Sequence, residues 1–424
     1  MIPVDLLVHS ATQLVTCASP GGPRRGSAMC EIGVIAHGAV AIKHGRIVAI
    51  GASDDLRRDH QAAQEIDASG HVVCPGFVDP HTHVAYAGDR IDEFERRIRG
   101  ETYQQIAAAG GGIRSTVRAT REASVSAIVE QSSARLDEML ALGTTTAEVK
   151  TGYGLDTSNE LKLLRAIDRL DRRQPVELVP TFMGAHAVPP EFDGRAGAYV
   201  DHLVDEMLPA AVDWYQGSAF AASGRPMFAD VFCELNAFDL AQSRRVLQAA
   251  KDAGLPLKAH VDEFTELGGL ALALDLGATS VDHLDETGAA GIAALGRSAT
   301  VAVVIPTVNF NFGSTRFANA RAMIDAGAAV ALTTDINPGS APGPSMPLAM
   351  AIACRYQKLL PSEALAAATI NAAHAIGLGD RLGSLEAGKQ ADLLMLDAAD
   401  YRHLAYQFGG NLVAKVVKKG TIAL

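Results

Sequence analysis

From about Leu6 to Asp67 short apolar, β-rich runs alternate with turn signals. AVAIK and RIVAIG flank the junction Lys43-His44-Gly45-Arg46, where Gly45 can take a positive φ and close a hairpin. Ser19 to Ser27 is loop by composition. From Val72 the pattern changes. An apolar run of strand character stops at Asp79-Pro80, and apolar positions three and four apart (Val125, Ile128, Val129, Leu136, Met139, Leu140) predict a helix that Gly143 closes.

The same unit then repeats. The runs TTTAEVK, VELVPTF, ADVFCEL, PLKAH, TSVDH, TVAVVIP and AVALTTD read as strands, and helical patterns such as AQSRRVLQAAKDAG and LGGLALALDLG lie between them. One helix follows Gly152-Tyr153-Gly154, with its cap expected near Thr157 or Ser158. With the run before Asp79 this makes eight parallel units, an α/β chain that predicts a closed, TIM-like (β/α)8 barrel over residues 72–378, with its site at the C-terminal ends of the strands. From about Gly379 short β runs return in ADLLMLD and LVAKVVKKG. A closed barrel brings its first strand beside its last helix, so 1–71 and 379–424 are expected to join as one small composite β-sandwich domain. Left unpaired, those runs would expose apolar edges.

Composition narrows the partners. The chain has 424 residues, 48% hydrophobic and 20% charged, and a formal net charge of -11. That acidity argues against nucleic acid or an anionic membrane as partner, and an anionic substrate must be met by local positive groups. Five cysteines without a CxxC pair read as reduced thiols. No basic region opens the N-terminus and no apolar run approaches ~20 residues, so the chain is expected in the cytoplasm with no membrane span.

The candidate chemistry lies where the strands end. His81 and His83 follow Asp79-Pro80 one residue apart and project to one side. His260, His283 and Asp335 each end a short apolar run. Histidines and a carboxylate at the ends of separate strands can converge on one divalent ion, as the nitrogen and oxygen ligands of zinc or iron do. Such an ion activates water near neutrality and polarises a carbonyl. Arg90 offers a planar fork suited to a carboxylate, although Asp89, Asp92, Glu93 and Glu95 around it make a surface ion pair the alternative.

VCPGFVDPHTH, the strand-terminal His260 and His283, TTD at Asp335 and the tail GSLEAGKQADLLMLD resemble the amidohydrolase superfamily. Within it, AGDRIDEFERRIRGETYQQIAAAGGGIRSTVRAT, TAEVKTGYGLD, TFMGAHAVPPEF, DVFCE and TDINPGS are similar to the imidazolonepropionase family, hydrolases that open the ring amide of 4-imidazolone-5-propionate to give N-formimino-L-glutamate in histidine degradation. The resemblance implies one zinc or iron ion on His81, His83, His260 and Asp335. It places Arg90, Tyr103, Tyr153 and His186 around a small-molecule substrate, with Arg90 on its carboxylate arm, and puts Asn337, Gly339 and Ser340 against the ring or product. Glu263, His283 and Asp335 are the catalytic positions, with the principal base left open between Glu263 and Asp335. The resemblance also leaves room for a homodimer. Lys150 ends the second strand rather than the fourth, where a carboxylated, metal-bridging lysine would lie, which favours a single ion. VVIPTVNFNFGSTRF departs from the family pattern, so no contacts are carried over to Asn309–Arg316. A deaminase of an aminated heterocycle and a scaffold without metal are the competing readings. The four intact ligand positions disfavour the scaffold.

Overall fold

The structure is a computed structural model and describes residues 1–424 apart from 20, 102–104 and 107–108. Its N-terminal strands are β1 (Ile2–Val15), β2 (Val34–Lys43), β3 (Arg46–Ala52), β4 (His60–Asp67) and β5 (Val72–Pro75). β1 pairs antiparallel with β2, and β2 with β3, so that Lys43 faces Arg46 across the expected hairpin. His44 and Gly45 have φ of 51° and 73°, the two positive values that the twist-compatible two-residue turn requires. β4 and β5 both run parallel to β1.

Eight further strands follow: β6 (Phe77–Asp79), β7 (Thr144–Lys150), β8 (Glu177–Ala185), β9 (Phe228–Cys233), β10 (Lys258–Val261), β11 (Ser280–His283), β12 (Val301–Val304) and β13 (Ala329–Leu332). Each pairs in parallel with the next, in chain order. Side chains bring the two ends of this (β/α)8 barrel together. The buried Asp79 carboxylate accepts hydrogen bonds from the hydroxyls of Thr333 and Thr334, and the His83 N–H reaches the Ile336 carbonyl at 3.0 Å. The short helix Ile370–Ala375, rich in alanine, packs with Val78, Val179, Val301 and Ala329 into one apolar cluster. The helix after β7 starts at Thr157, and its cap is Asp156 rather than the expected Thr157 or Ser158, its carboxylate accepting the Asn159 N–H. Asp and Ser cap equally well, so composition could not separate these neighbours.

The chain ends in β14 (Leu393–Leu396), β15 (Val413–Lys418) and β16 (Thr421–Ile422). β14 pairs antiparallel with β5, giving one eight-stranded sheet from both termini in the order β16-β15-β14-β5-β1-β2-β3, with β4 also on β1. Leu6, Val40, Ile47, Val73, Leu393 and Val417 share a core, so the two wings of this sheet cover the same apolar face.

One boundary differs from expectation. Val72–Pro75 belongs to the terminal sheet, and the chain crosses to the barrel at Gly76 rather than between 71 and 72. Gly76 donates to Asp392 O at 3.1 Å, while Phe77 donates to Gly143 O at 3.0 Å. A Cβ on Gly76 would meet Thr145 Oγ1 at 2.3 Å, so the crossing needs glycine. The Pro75-Gly76 dipeptide is the one mark of this change of partner in an otherwise apolar run. Cys17, Cys74 and Cys233 are buried, Cys354 is half-buried and Cys30 exposed, all unpaired. Among the described residues no helix is long and apolar enough to cross a membrane.

Candidate metal centre and its pocket

Alternation along each strand turns one set of side chains into the barrel. On β7 these are Glu148 and Lys150, on β9 Asp230 and Phe232, on β10 Lys258 and His260, and on β11 Ser280 and Asp282. The intervening Ala147, Val149, Val231, Ala259 and Val281 pack in the outer core. Above this polar interior the structure brings together His81, His83, His260 and Asp335. His83 Nε2 lies 3.4 Å from His260 Nε2, and Asp335 Oδ1 lies 3.4 Å from His81 Nε2 and 3.7 Å from His83 Nε2. Ligand atoms of His81, His83 and His260 lie within 4.8 Å of one another, as do those of His81, His283 and Asp335.

Two carboxylates orient the rings. His81 Nδ1 is 2.8 Å from Asp282 Oδ2 and His260 Nδ1 is 3.1 Å from Asp230 Oδ1, which leaves both Nε2 atoms facing the centre. Burial pushes His81 and His83 well below the usual histidine range, with neighbouring cations and imidazoles adding to the effect, which favours the neutral rings that a metal ion requires. His81 Nε2 and Asp335 Oδ1 are buried and have no hydrogen-bond partner among the described residues. Buried polar atoms are ordinarily satisfied, and these converge with the nitrogen and oxygen chemistry that zinc or iron takes, so the residues fit a divalent ion.

His283 directly follows Asp282, and strict alternation would send it outward. Its φ of 81° instead turns it back over the site, where its ring centroid lies 5.2 Å from that of His260. His283 Nε2 is 3.6 Å from Glu263 Oε2. Burial and the nearby carboxylates of Asp335, Asp285 and Glu234 push the Glu263 carboxyl well above the usual range. Glu234 fastens the loop that carries Glu263, accepting the N–H groups of Phe264 at 3.0 Å and Thr265 at 3.1 Å.

The centre opens into a cavity of about 610 Å³. Arg90, Tyr153, His186, Asn337, Gly339 and Ser340 all line it. Tyr103 lies outside the described residues. Arg90 does make the anticipated ion pair, with Nε and Nη2 both 2.9 Å from Glu93 Oε2, but on the cavity wall with its side chain only 15% exposed. Arg97 stands beside it and donates to Gly339 O at 3.0 Å. His186 Nδ1 contacts Gly152 O at 3.0 Å, and its ring stacks on His83 with centroids 4.8 Å apart. Burial lowers His186 to about 3, so it is neutral and its Nε2 is available to the cavity. Asn337 is engaged within its own loop: Oδ1 accepts the N–H groups of Gly339 and Ser340, and Nδ2 donates to Asp335 O and Ser340 Oγ. It shapes the loop that presents Asp335. In the atypical segment after β12, Phe312 lines the cavity and Asn309 donates to Asp285.

Sequence reasoning did not single out Asp230, Asp282 or Arg97, and it named Glu93 only among four acidic neighbours of Arg90. For Asp230 the available signal was a carboxylate within an otherwise apolar strand, and for Asp282 a carboxylate two residues after the inward Ser280. Arg97 follows Arg90 by two helical turns on one face, a spacing that could have paired them.

A model of the amidohydrolase family matches residues 72–423, and one of an imidazolonepropionase-like composite domain from bacteria matches residues 38–60. The chain is 62% identical to the imidazolonepropionase of Chloroflexus aggregans, covering 100% of this chain and 99% of that one. It is 50% identical to that of Herpetosiphon aurantiacus, covering 99% and 97%. Among solved structures, a triazine hydrolase variant superposes with a TM-score of 0.74 at 18% identity over 98% of this chain and 94% of that one. A zinc-bound adenosine deaminase from Xanthomonas campestris gives 0.70 at 20% identity over 100% and 93%. These structural likenesses bear on the fold alone.

Proposed function

The chain belongs to the amidohydrolase family, and we propose that it hydrolyses the ring amide of 4-imidazolone-5-propionate to N-formimino-L-glutamate, a step of histidine degradation. The observation that carries this reading is that one cavity joins a carboxylate-binding wall, Arg90 with Arg97, to the cluster of His81, His83, His260 and Asp335. A heterocycle with a short acidic arm suits that layout. An aminated purine or pyrimidine carries no acidic arm for this wall to bind, which disfavours a deaminase.

His81, His83, His260 and Asp335 would hold one divalent ion, zinc or iron. Lys150 speaks for a single ion: its Nζ lies 2.7 Å from Asp230 and 2.8 Å from Glu148, and a carboxylated lysine there would add negative charge among carboxylates. When bound, the ion supplies a Lewis acid for the ring carbonyl and brings the pKa of water down to ~7.

The rest falls to the protein. Arg90 and Arg97 take the propionate carboxylate and set the ring over the centre, with Tyr153 and His186 as walls. As a water oxygen bonds to the ring carbonyl carbon, His283 donates to the developing oxyanion. The ring C–N bond then breaks, and the leaving nitrogen must gain the proton that the water has lost. Glu263, raised in pKa and 3.6 Å from His283, is the group best suited to carry it. Nucleic acid and membrane have no part in this reading, which places the chain in the cytoplasm. The test is turnover of freshly generated imidazolonepropionate by metal-loaded protein, followed as loss of its ultraviolet absorbance with detection of N-formimino-glutamate. No turnover, or ammonia released from aminated heterocycles instead, overturns the reading.

A further inference from the structure

We propose that Lys150 is a positioning residue of the metal centre: its ammonium holds Asp230 and Asp282, and through them aims His260 and His81 at the ion. The proposal rests on the metal-site reading above but not on the identity of the substrate. Lys150 ends β7, and its side chain is fully buried beneath the ligands. Its Nζ lies 2.7 Å from Asp230 Oδ2, 2.8 Å from Glu148 Oε1 and 3.5 Å from Asp282 Oδ2. The other oxygen of Asp230 meets His260 Nδ1 at 3.1 Å, and Asp282 Oδ2 itself meets His81 Nδ1 at 2.8 Å. One ammonium thus anchors two separate ammonium–carboxylate–imidazole chains, each ending in a lone pair that faces the centre.

Buried carboxylates this close repel one another, and without the central cation their orientations are no longer set by a common partner. Rotation of either one releases the Nδ1–H of its histidine and with it the choice of tautomer and ring angle. Lys258 supplies a comparison. It is as deeply buried in the same interior, but it bonds to Pro80 O at 3.0 Å and Ser280 Oγ at 2.7 Å and lies 3.7 Å from Asp282. That ion pair and the link through Ser280 Oγ, 3.3 Å from Asp282 Oδ1, reach only the Asp282 chain, whereas Asp230 is held by Lys150.

The test uses the full chain stripped of metal. Zinc affinity is measured by competition with a chromogenic chelator, and the visible spectrum of the cobalt-loaded protein reports ligand geometry. Lys150→Met is expected to weaken zinc binding by about 10–100-fold and to change the cobalt spectrum. Lys258→Met is expected to lower the melting temperature while leaving both within about threefold or unaltered. If Lys150→Met does not fold, the double variant Lys150→Met/Glu148→Gln, which removes one negative charge with the positive one and leaves both ligand-orienting aspartates in place, carries the same measurement and the same expectation. Zinc affinity within threefold of the parent and an unchanged cobalt spectrum, in whichever of these variants folds, overturns the proposal. A parent protein that binds no zinc, iron or cobalt would instead overturn the metal-site reading itself.

Discussion

Gly339 rests against the guanidinium of Arg90: a Cβ at position 339 would stand 2.2 Å from Arg90 Nη1 and 2.6 Å from its Cζ. The glycine leaves room for the arginine on the cavity wall. Because the obstructing atoms are the far end of a flexible side chain, a methyl group there displaces Arg90 at little cost to the fold. Gly339→Ala is therefore expected to keep its melting temperature and metal content and to raise KM by about tenfold or more, the scale of one lost charge-assisted hydrogen bond. Steady-state kinetics and a thermal melt on the same preparation decide it. An unchanged KM would show that Arg90 does not hold the substrate.

The ligand assignment predicts loss of metal. The Nε2 atoms of His81 and His260 face the centre while their Nδ1 atoms are held by Asp282 and Asp230. His81→Ala or His260→Ala should leave too few donors to retain the ion, with bound metal falling from about one per chain to near zero and turnover falling with it. Elemental analysis after dialysis measures this, and full occupancy with full activity in either variant would remove that residue from the ligand set.

Much of this site is legible in the sequence because each proposed ligand stands where an apolar run stops, and parallel barrel strands end on one face. His81, His83, His260, His283 and Asp335 all carry that mark. Their supports do not. Asp282 and Asp230 read as single carboxylates within strands, and the imidazoles they hold are 201 and 30 residues away, so only the closed barrel reveals the pairing. His283 is found by its place at the strand end, but its direction depends on a φ of 81° that alternation does not predict. The composite sheet was legible as two apolar ends needing a partner. The crossing at Gly76 was marked only by the Pro75-Gly76 turn signal, which the apolar residues on both sides of it obscured.

The join between terminal sheet and barrel gives a pH prediction. Glu177, at the start of β8, is buried beneath Lys418 of β15, with Oε2 3.3 Å from its Nζ. Burial alone would raise its pKa, but Lys418, Lys419, Gln390 and Arg225 outweigh it and hold the carboxyl down at about 2 against an ordinary 4.5. A depressed carboxylate stabilises the fold when ionised. That contribution is full above pH 4.5 and is lost as pH falls toward about 2, and the gap corresponds to roughly 3 kcal/mol. Glu177→Gln should therefore be less stable than the parent at pH 7, with the two converging as pH drops below 4.5. Urea midpoints across that range test it, and a constant difference from pH 7 to 3 would mean that the charge is not what matters.

Glu263 and His283 form the last pair to separate. Their side chains lie 3.6 Å apart, His283 buried and Glu263 half-buried, with Glu263 raised in pKa and His283 lowered by burial. Asp335 already brings one carboxylate to the centre, and a glutamine at 263 could still orient a water, so Glu263→Gln is expected to lower kcat by no more than about 10²-fold. An asparagine at 283 cannot both donate to the oxyanion and pass on a proton. His283→Asn should cost on the order of 10³-fold or more with metal content near normal. Contact between the two adds a further condition. If they hand on one proton as a unit, the double variant is no slower than His283→Asn alone, whereas independent roles would multiply the two losses. The three kcat values, each with bound metal measured, settle both points: a nearly dead Glu263→Gln beside a mildly impaired His283→Asn reverses the roles, and multiplied losses break the pair into independent groups.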